Sequence, residues 1–324
     1  MNKPSTESPK TAKLKRIWLL RVLVQVDGFR GILFTGKLVK SILIRAYPQL
    51  RDVFKPSEGS TPKLVHVTPL YASRGDSVKC IYSYVVCKPM LLVKCEGPPK
   101  HIELNGDYYF YFGFHETIAE MTHLLSNIMN YGECFEFMNQ RICVETKELN
   151  VYDPHALGLR LVDNVLQEGG LKVKFSSPTM LRDPLRTSGK YKTLLPSPFN
   201  VFAAPVYIIL YTKGLFSVRR LRTELLRLHR LFNETYSALG GLRVRWVYYG
   251  RRPEPALVGY VNYRVNYEYL DFLRQKLNVE EWLGEVFAYA LALGVGAGRA
   301  TGFGHVEIKP LAEGNSARNQ GENL

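Results

Sequence analysis

Residues 294–304 read G-V-G-A-G-R-A-T-G-F-G, with Gly294, Gly296, Gly298, Gly302 and Gly304 spaced around Arg299. Glycines let backbone N–H groups approach a phosphate closely, because no side chain shields them. Arg299 adds a planar, forked cation that matches phosphate oxygens. A helix C-cap followed by a tight turn would need only one or two glycines. No Gly-Lys-Ser/Thr follows, so this is not a P-loop. The order of elements here is helix, loop, strand, whereas a dinucleotide fingerprint needs strand, loop, helix. A nucleotide cofactor is therefore not expected. Cys80, Cys87, Cys95, Cys134 and Cys143 are odd in number and make no C-x-x-C pair, so neither a disulfide scaffold nor a zinc site is expected. No acidic pair or Asp/His cluster has metal-ligand spacing, and there is no serine-nucleophile motif. The expectation is no metal and no cofactor.

The charge balance says what the loop could meet. Lys and Arg total 43 against 29 acids, a net +14. Such a field attracts polyanions: nucleic acid first, an anionic membrane surface second, with a merely soluble basic surface as the bland reading. No segment reaches the ~20 apolar residues of a membrane helix. The most apolar run, residues 201–211, is short and broken by Pro205, and the polar start MNKPSTESPK lacks a signal peptide's apolar stretch. A cytoplasmic protein fits best. Single-stranded RNA is bound by basic grooves with stacking aromatics. The candidates are Lys172, Lys174, Lys190, Lys192, Arg243, Arg245 and Arg299, with Tyr191, Trp246 and Tyr248 able to stack on bases.

The elements that must position these groups fall into two similar halves. The expected organisation is a tail at 1–13, a first domain at 14–153, a second at 154–311 and a tail at 312–324. In the first domain, 17–26 reads as a buried strand, and Leu38, Ile42, Ala46 and Leu50 mark one helical face. Strands are expected at 63–71, 78–88 and 108–114. A helix striped by Ile118, Met121, Leu125 and Ile128 follows, and 133–151 is strand-like. Pro154 starts a helix that ends at Gly169 and Gly170. In the second domain, strict alternation over 171–175 predicts a half-buried strand with lysines on its open face. Leu221, Leu225, Leu228 and Phe232 stripe a helix flanked by Arg219, Arg220, Arg222, Arg227 and Arg230. Strands are expected at 242–249, 257–265 and 303–308, and a helix over 269–293 with a break at Gly284. Each half reads as β-α-β-β-α-β, so the fold class is α+β with two tandem ferredoxin-like domains.

Two G-hydrophobic-G units separated by five residues that include Lys or Arg resemble the C-terminal signature of the CRISPR repeat-processing endoribonucleases, members of the RAMP superfamily. Gly294–Val295–Gly296 and Gly302–Phe303–Gly304 match it without a gap, with Arg299 between them. The stretch K-V-K-F-S-S-P-T at 172–179 is similar to the strand that opens the second domain of crenarchaeal members. The resemblance covers most of 171–310 in layout, and the first domain in arrangement more than in letters.

The resemblance implies an endoribonuclease that cuts precursor CRISPR repeat RNA without a metal. The ribose 2′-OH attacks the adjacent phosphate, leaving a 2′,3′-cyclic phosphate and a 5′-OH. It places the site on the first helix and the following strand of the first domain, where a histidine is common. This chain has none on the helix or the loop after it. The positions matching members that use lysines are Lys37, Lys40 and Lys63. Lys37 and Lys40 are three apart on one helix face and should depress each other's pKa, so one could act as base. Lys63 could hold the phosphate or protonate the leaving oxygen. His66 competes, but on a strand it points away from Lys63. The implied partners are precursor CRISPR RNA and subunits of a CRISPR effector complex, with no DNA duplex and no membrane, as a monomer or homodimer. The alternatives are a non-catalytic RAMP subunit holding guide RNA, and an unrelated two-domain RNA binder.

Overall fold

Val22, Val24 and Val26 recur at every second position, and β-branched residues favour a pleated chain. In the computed structural model, which describes residues 16–55, 61–74, 77–88, 94–185, 192–235, 241–250 and 253–311, they lie on the strand Ile17–Gly31. This strand pairs antiparallel with Ile102–His115 on one side and Gln140–Tyr152 on the other. Val65–Val67 adds outside Ile102–His115. The helix Gly36–Ala46 follows the first strand, and Met121–Met129 precedes the hairpin that carries the last. The last strand thus lies beside the first, and the first beside the third, which is the ferredoxin-like order.

The pattern repeats in the second sheet. Gly170–Thr179 runs between Val306–Pro310 and Pro253–Val265, with Leu242–Tyr248 beyond. Leu171, Val173 and Phe175 are buried in the core beneath the helices Ala203–Thr212, Val218–Leu231 and Val279–Leu293. Lys172 and Lys174 therefore occupy the opposite, open face, as the alternation requires.

Several elements depart from the sequence reading. The strand expected over 78–88 divides at Ser83, which exchanges hydrogen bonds with Leu33. Ser77–Cys80 stays in the first sheet, while Tyr84–Lys88 joins Leu242–Tyr248 in the second. The strand expected over 63–71 likewise divides into Val65–Val67 and Tyr71–Arg74. In Met121–Met129 the fully buried residues are Leu124 and Ile128; Ile128 is as expected, while Leu124 takes the buried place expected of Leu125, and Ile118, Met121 and Leu125 are only partly buried. The break expected at Gly284 falls at 275–278, where the Asn278 side chain accepts from the Glu281 N–H and starts a new helix. Gly284 instead lies inside that helix, where Gly158 of the helix Pro154–Gln167 crosses it.

The cysteines are also a correction. Cys87 faces Cys95 and Cys134 faces Cys143 across two hairpins, and both pairs are disulfides. An odd count and a missing C-x-x-C carry no information about directly opposed hairpin residues. Cys80 is free. The tails expected at 1–13 and 312–324 lie outside the described residues. Among the described residues no helix is long and apolar enough to cross a membrane.

The Gly158–Gly284 crossing yields a test in which two effects compete. Alanine is the better helix former by ~1 kcal/mol. A Cβ on Gly158 would however overlap the Gly284 carbonyl oxygen, and overpacking costs ~1–3 kcal/mol. Gly158→Ala is expected to lower the urea midpoint. A raised midpoint would mean that propensity wins and that the crossing can relax.

Candidate functional site: the seam between the two sheets

The helix Val279–Leu293 ends at Gly294, and the glycine loop runs back between the sheets. Its backbone is bonded within the protein: Val295 N–H donates to Gly304 O (2.8 Å), Ala297 N–H to Met180 O (2.7 Å) and Gly304 N–H to Pro178 O (3.0 Å). Gly296 and Gly304 have φ of +67° and +85°. A Cβ on Gly296 would strike Met180 O, and one on Gly304 would strike Val295 O. Gly294 lies against the His66 ring, and Gly302 against Phe34 and Gly36 at the start of the Gly36–Ala46 helix. Gly294, Gly302 and Gly304 are buried, Gly296 is half-buried, and Gly298 is exposed. Gly294, Gly296, Gly302 and Gly304 thus serve close packing within the protein, which corrects the expectation that these glycines form an open phosphate cradle.

Arg299 points inward rather than out to a phosphate. Its Nη1 donates to Leu293 O (2.8 Å) and its Nη2 to Lys63 O (3.1 Å). Leu293 O is one of the last carbonyls of its helix, which lack partners within the helix, and a cation is favoured there. Burial pulls the guanidinium pKa down to about 10.

His66 is fully buried on Val65–Val67. Its Nδ1 lies 3.0 Å from Arg299 O, so that nitrogen carries the proton and donates. The ring is nearly parallel to His305, with centroids 5.6 Å apart, and Tyr111 stacks on His305 at 4.7 Å. Burial, then the neighbouring His305 and Arg299, hold the His66 pKa well below the usual imidazole value; burial takes His305 down to about 4. Both are neutral packing groups between the sheets, so His66 has no path to RNA and the catalytic reading of it is withdrawn.

The three lysines are half-buried but do not form one cluster. The Lys37 ammonium sits over the Tyr249 ring, 4.7 Å from its centroid. Lys40 donates to Phe54 O (3.2 Å). Lys63 donates to Val53 O (2.8 Å) and to Lys55 O. Lys40 and Lys63 thus cap the end of the short helix Leu50–Phe54. Burial lowers all three pKa values, and Lys40 lowers Lys63 further. The electrostatic pair is therefore Lys40 with Lys63, not Lys37 with Lys40 as the helix spacing had suggested.

From Lys37 a track of rings and cations follows the seam. Tyr249 packs edge-on to Phe34 (5.7 Å) and Phe34 to Tyr82 (6.3 Å), and Tyr82 lies tilted against Tyr84 (6.0 Å). Arg245 and Lys100 hold their charges 5.0 and 5.5 Å from the Tyr84 ring. The track opens into a cleft of about 520 Å³ walled by both sheets, whose lining includes Tyr82, Tyr84, Lys79, Lys100, Lys174 and Arg245.

Of the expected RNA-binding residues, Lys174 and Arg245 line this cleft. Lys174 is also 3.1 Å from Glu307, and Lys172 lies over Tyr260 at 3.8 Å. Lys192 pairs with Glu254, and Arg243 is exposed. Lys190 and Tyr191 lie outside the described residues. The sequence reading missed Lys79, Tyr82, Tyr84 and Lys100. The run K-C-I-Y-S-Y-V-V-C-K at 79–88 carried a signal, an aromatic stretch with a lysine at each end, but it was read as a plain strand. Among the described residues no three His, Cys, Asp or Glu side chains converge as a metal site requires.

Two stability tests follow. Arg299→Ala strands two acceptors, at ~1–3 kcal/mol each if water cannot reach them, so the melting temperature should fall by several degrees. An unchanged melting temperature would show that the guanidinium does not tie the sheets together. The histidines give a pH signature. Their folded pKa values lie below the unfolded value, so the unfolded chain binds more protons between about 4 and 6.5. Stability is full above 6.5 and is lost as pH falls towards about 4. His305→Phe should flatten this loss, as measured by melting temperature against pH.

Residues 173–306 match the family described as CRISPR-associated endoribonuclease Cas6. Among solved structures, a Cas6 product complex is 14% identical with a TM-score of 0.56, over 92% of this chain and 100% of the other. Thermus thermophilus Cas6 is 13% identical with a TM-score of 0.51, over the same shares of the two chains. At these identities the likeness is one of fold, and it extends over both sheets. Among curated proteins no sequence matches this chain. The family match rests on the part of the chain that holds Lys174, Arg245 and the glycine loop, and over residues 173–306 this chain is similar to the CRISPR-associated Cas6 endoribonucleases.

Proposed function

We propose that this protein cleaves precursor CRISPR repeat RNA at the seam, by attack of a ribose 2′-OH on the adjacent phosphate and without a metal. The observation that carries the reading is that the cationic cleft and Lys37 lie on the same seam, joined by the ring contacts Tyr84–Tyr82–Phe34–Tyr249. A single strand lies with phosphates on Lys100, Lys174 and Arg245 and a base on Tyr84, and passes Tyr82 and Tyr249. Lys37, whose burial makes the neutral amine more accessible, takes the 2′-OH proton. The charge of Lys40 and Lys63 stabilises the phosphate as negative charge builds on it, and Lys63 protonates the leaving 5′-oxygen. The products are a 2′,3′-cyclic phosphate and a 5′-OH. In this reading the domains are 14–153, carrying the cutting residues, and 154–311, carrying the loop that docks the two.

A second reading, a non-catalytic subunit that holds guide RNA, is favoured by one observation. The Lys40 and Lys63 amines already donate to carbonyls.

Incubation of repeat RNA with purified protein separates the two. Cleavage is expected to persist in EDTA and to leave a cyclic phosphate on the upstream product; loss on chelation, or a 5′-phosphate downstream, overturns the mechanism. Lys37→Ala should slow cutting by ~10²–10⁴ with little change in affinity. Because only the neutral amine accepts the proton, the rate should rise with pH and level off below 10.5. Tyr84→Ala should instead weaken binding by ~1–3 kcal/mol, and Arg245→Ala should flatten the salt dependence. Wild-type cutting by Lys37→Ala, Lys40→Ala and Lys63→Ala alike would place the chemistry elsewhere.

A further inference from the structure

The cleft between the sheets is walled mainly by cations. Lys79, Lys100, Lys174 and Arg245 line it, against the carboxylates of Glu103 and Glu307. Glu103 is exposed, whereas Glu307 is half-buried and held in place. It stands on the strand Val306–Pro310, directly across from Lys174. Its Oε1 accepts from Ser176 Oγ (2.6 Å) and from Lys174 Nζ (3.1 Å). Its Oε2 is 3.6 Å from Lys309 Nζ, beyond hydrogen-bond distance. Burial pushes the Glu307 pKa up, but the hydrogen bonds from Ser176 and Lys174 and the charges of Lys174 and Lys309 outweigh it. The carboxyl therefore stays below its ordinary value and is ionised at neutral pH.

A fixed negative charge is out of place on a surface that only holds phosphates, because it repels them and offsets Lys174. It is in place where a base edge meets the wall, since base edges carry N–H donors and a carboxylate is purely an acceptor. Phosphate contacts position a strand without reading it, and base contacts supply the sequence preference. The bases differ in what their edges bring. Guanine sets two donors side by side, N1–H and the 2-amino group, with the acceptor O6 next to them. Cytosine and adenine set one amino group beside a ring nitrogen that is itself an acceptor. Uracil sets its one N–H between two carbonyl oxygens. Guanine alone brings adjacent donors to Oε2 and an acceptor to the ammonium beside it.

We propose that Glu307 reads a guanine of the RNA: Oε2 accepts from N1–H and the 2-amino group, while Lys174 donates to O6. The Lys174 ammonium has three N–H donors; Glu307 takes one, which leaves donors for O6 and for a phosphate. The cleft, at about 520 Å³, falls in the range of ~300–1,000 Å³ that encloses small ligands. This inference rests on the reading that the RNA strand lies in the cleft, and adds which base it presents there.

The test is equilibrium binding of the full chain to single-stranded RNAs of about eight nucleotides. Oligouridine is compared with the same strand carrying one guanosine, moved position by position. At the best position guanosine is expected to tighten binding about tenfold, and adenosine or cytidine there should not match it. Inosine, which keeps O6 and N1–H but lacks the 2-amino group, should lose part of the gain. Glu307→Gln should abolish the guanosine advantage while holding oligouridine as well as wild type does, or better, because repulsion of phosphates is relieved. Glu307→Gln that weakens every strand alike would make the carboxylate a holder of Lys174 and overturn the proposal. Inosine that binds like guanosine overturns it on the wild-type chain, whether or not the variant folds. If Tyr84→Ala and Arg245→Ala weaken binding but guanosine brings no advantage, the cleft reading stands and the guanine reader falls. If those two variants bind like wild type, the RNA lies elsewhere and both fall.

Discussion

A guanidinium buried between two sheets must find acceptors or unfold what surrounds it, since an uncompensated buried charge costs several kcal/mol. Arg299 finds a carbonyl in each half of the chain, Leu293 O and Lys63 O. Its own carbonyl accepts a hydrogen bond from His66 Nδ1, which seats the His66 ring against His305. The loop that carries Arg299 reaches this depth because Gly296 and Gly304 lay bare backbone on bare backbone. The same loop meets Gly36 at Gly302, so the helix bearing Lys37 and Lys40, whose Leu38, Val39, Ile42 and Leu43 pack in the first domain's core, also touches the second domain at its start. Most distances along the seam therefore depend on one cation and its glycine frame.

That placement has a chemical consequence. A lysine in water keeps its proton and is a poor base, whereas a fully buried one loses its charge and cannot steady a phosphate. Lys37, Lys40 and Lys63 lie between these limits, half-buried and held by a ring or by carbonyls. The ring over which Lys37 lies, Tyr249, comes from the far domain, so its desolvation depends partly on docking. The carbonyls that hold Lys40 and Lys63 end a helix of five residues, and they orient the two charges while leaving them charged.

How much of this was legible depends on the kind of information involved. Period-two alternation placed Lys172 and Lys174 on an open face because that rule is local and geometric. Strand parity does not apply to Lys63, which precedes the strand Val65–Val67; His66 is buried on that strand while Lys63 reaches the 53–55 carbonyls. The glycine loop was legible as unusual, but its purpose was read backwards. Composition shows that a backbone must approach something closely, not whether that something is a phosphate or another backbone. The hairpin disulfides depend on register across turns, which five scattered cysteines do not reveal. The cleft was hidden for a related reason: Tyr84 and Lys100 come from the first half of the sequence yet stand beside Arg245 of the second sheet.

The segment that makes this exchange has little holding it. Tyr84–Lys88 pairs with Leu242–Tyr248 at only two positions, Val85 with Trp246 and Tyr84 with Val247. A two-stranded hairpin on its own is marginal in water. Cys87–Cys95 closes the hairpin just beyond those pairs and limits the open conformations it can sample. Inward from them Tyr82 bridges to Phe34, which stacks on Phe303 beside the glycine loop. The cleft wall is thus fastened at one end by a covalent bond and at the other by the wedge that docks the two sheets. Its rings and cations come together only in the docked molecule, so the surface read here as the RNA path is a property of both domains at once.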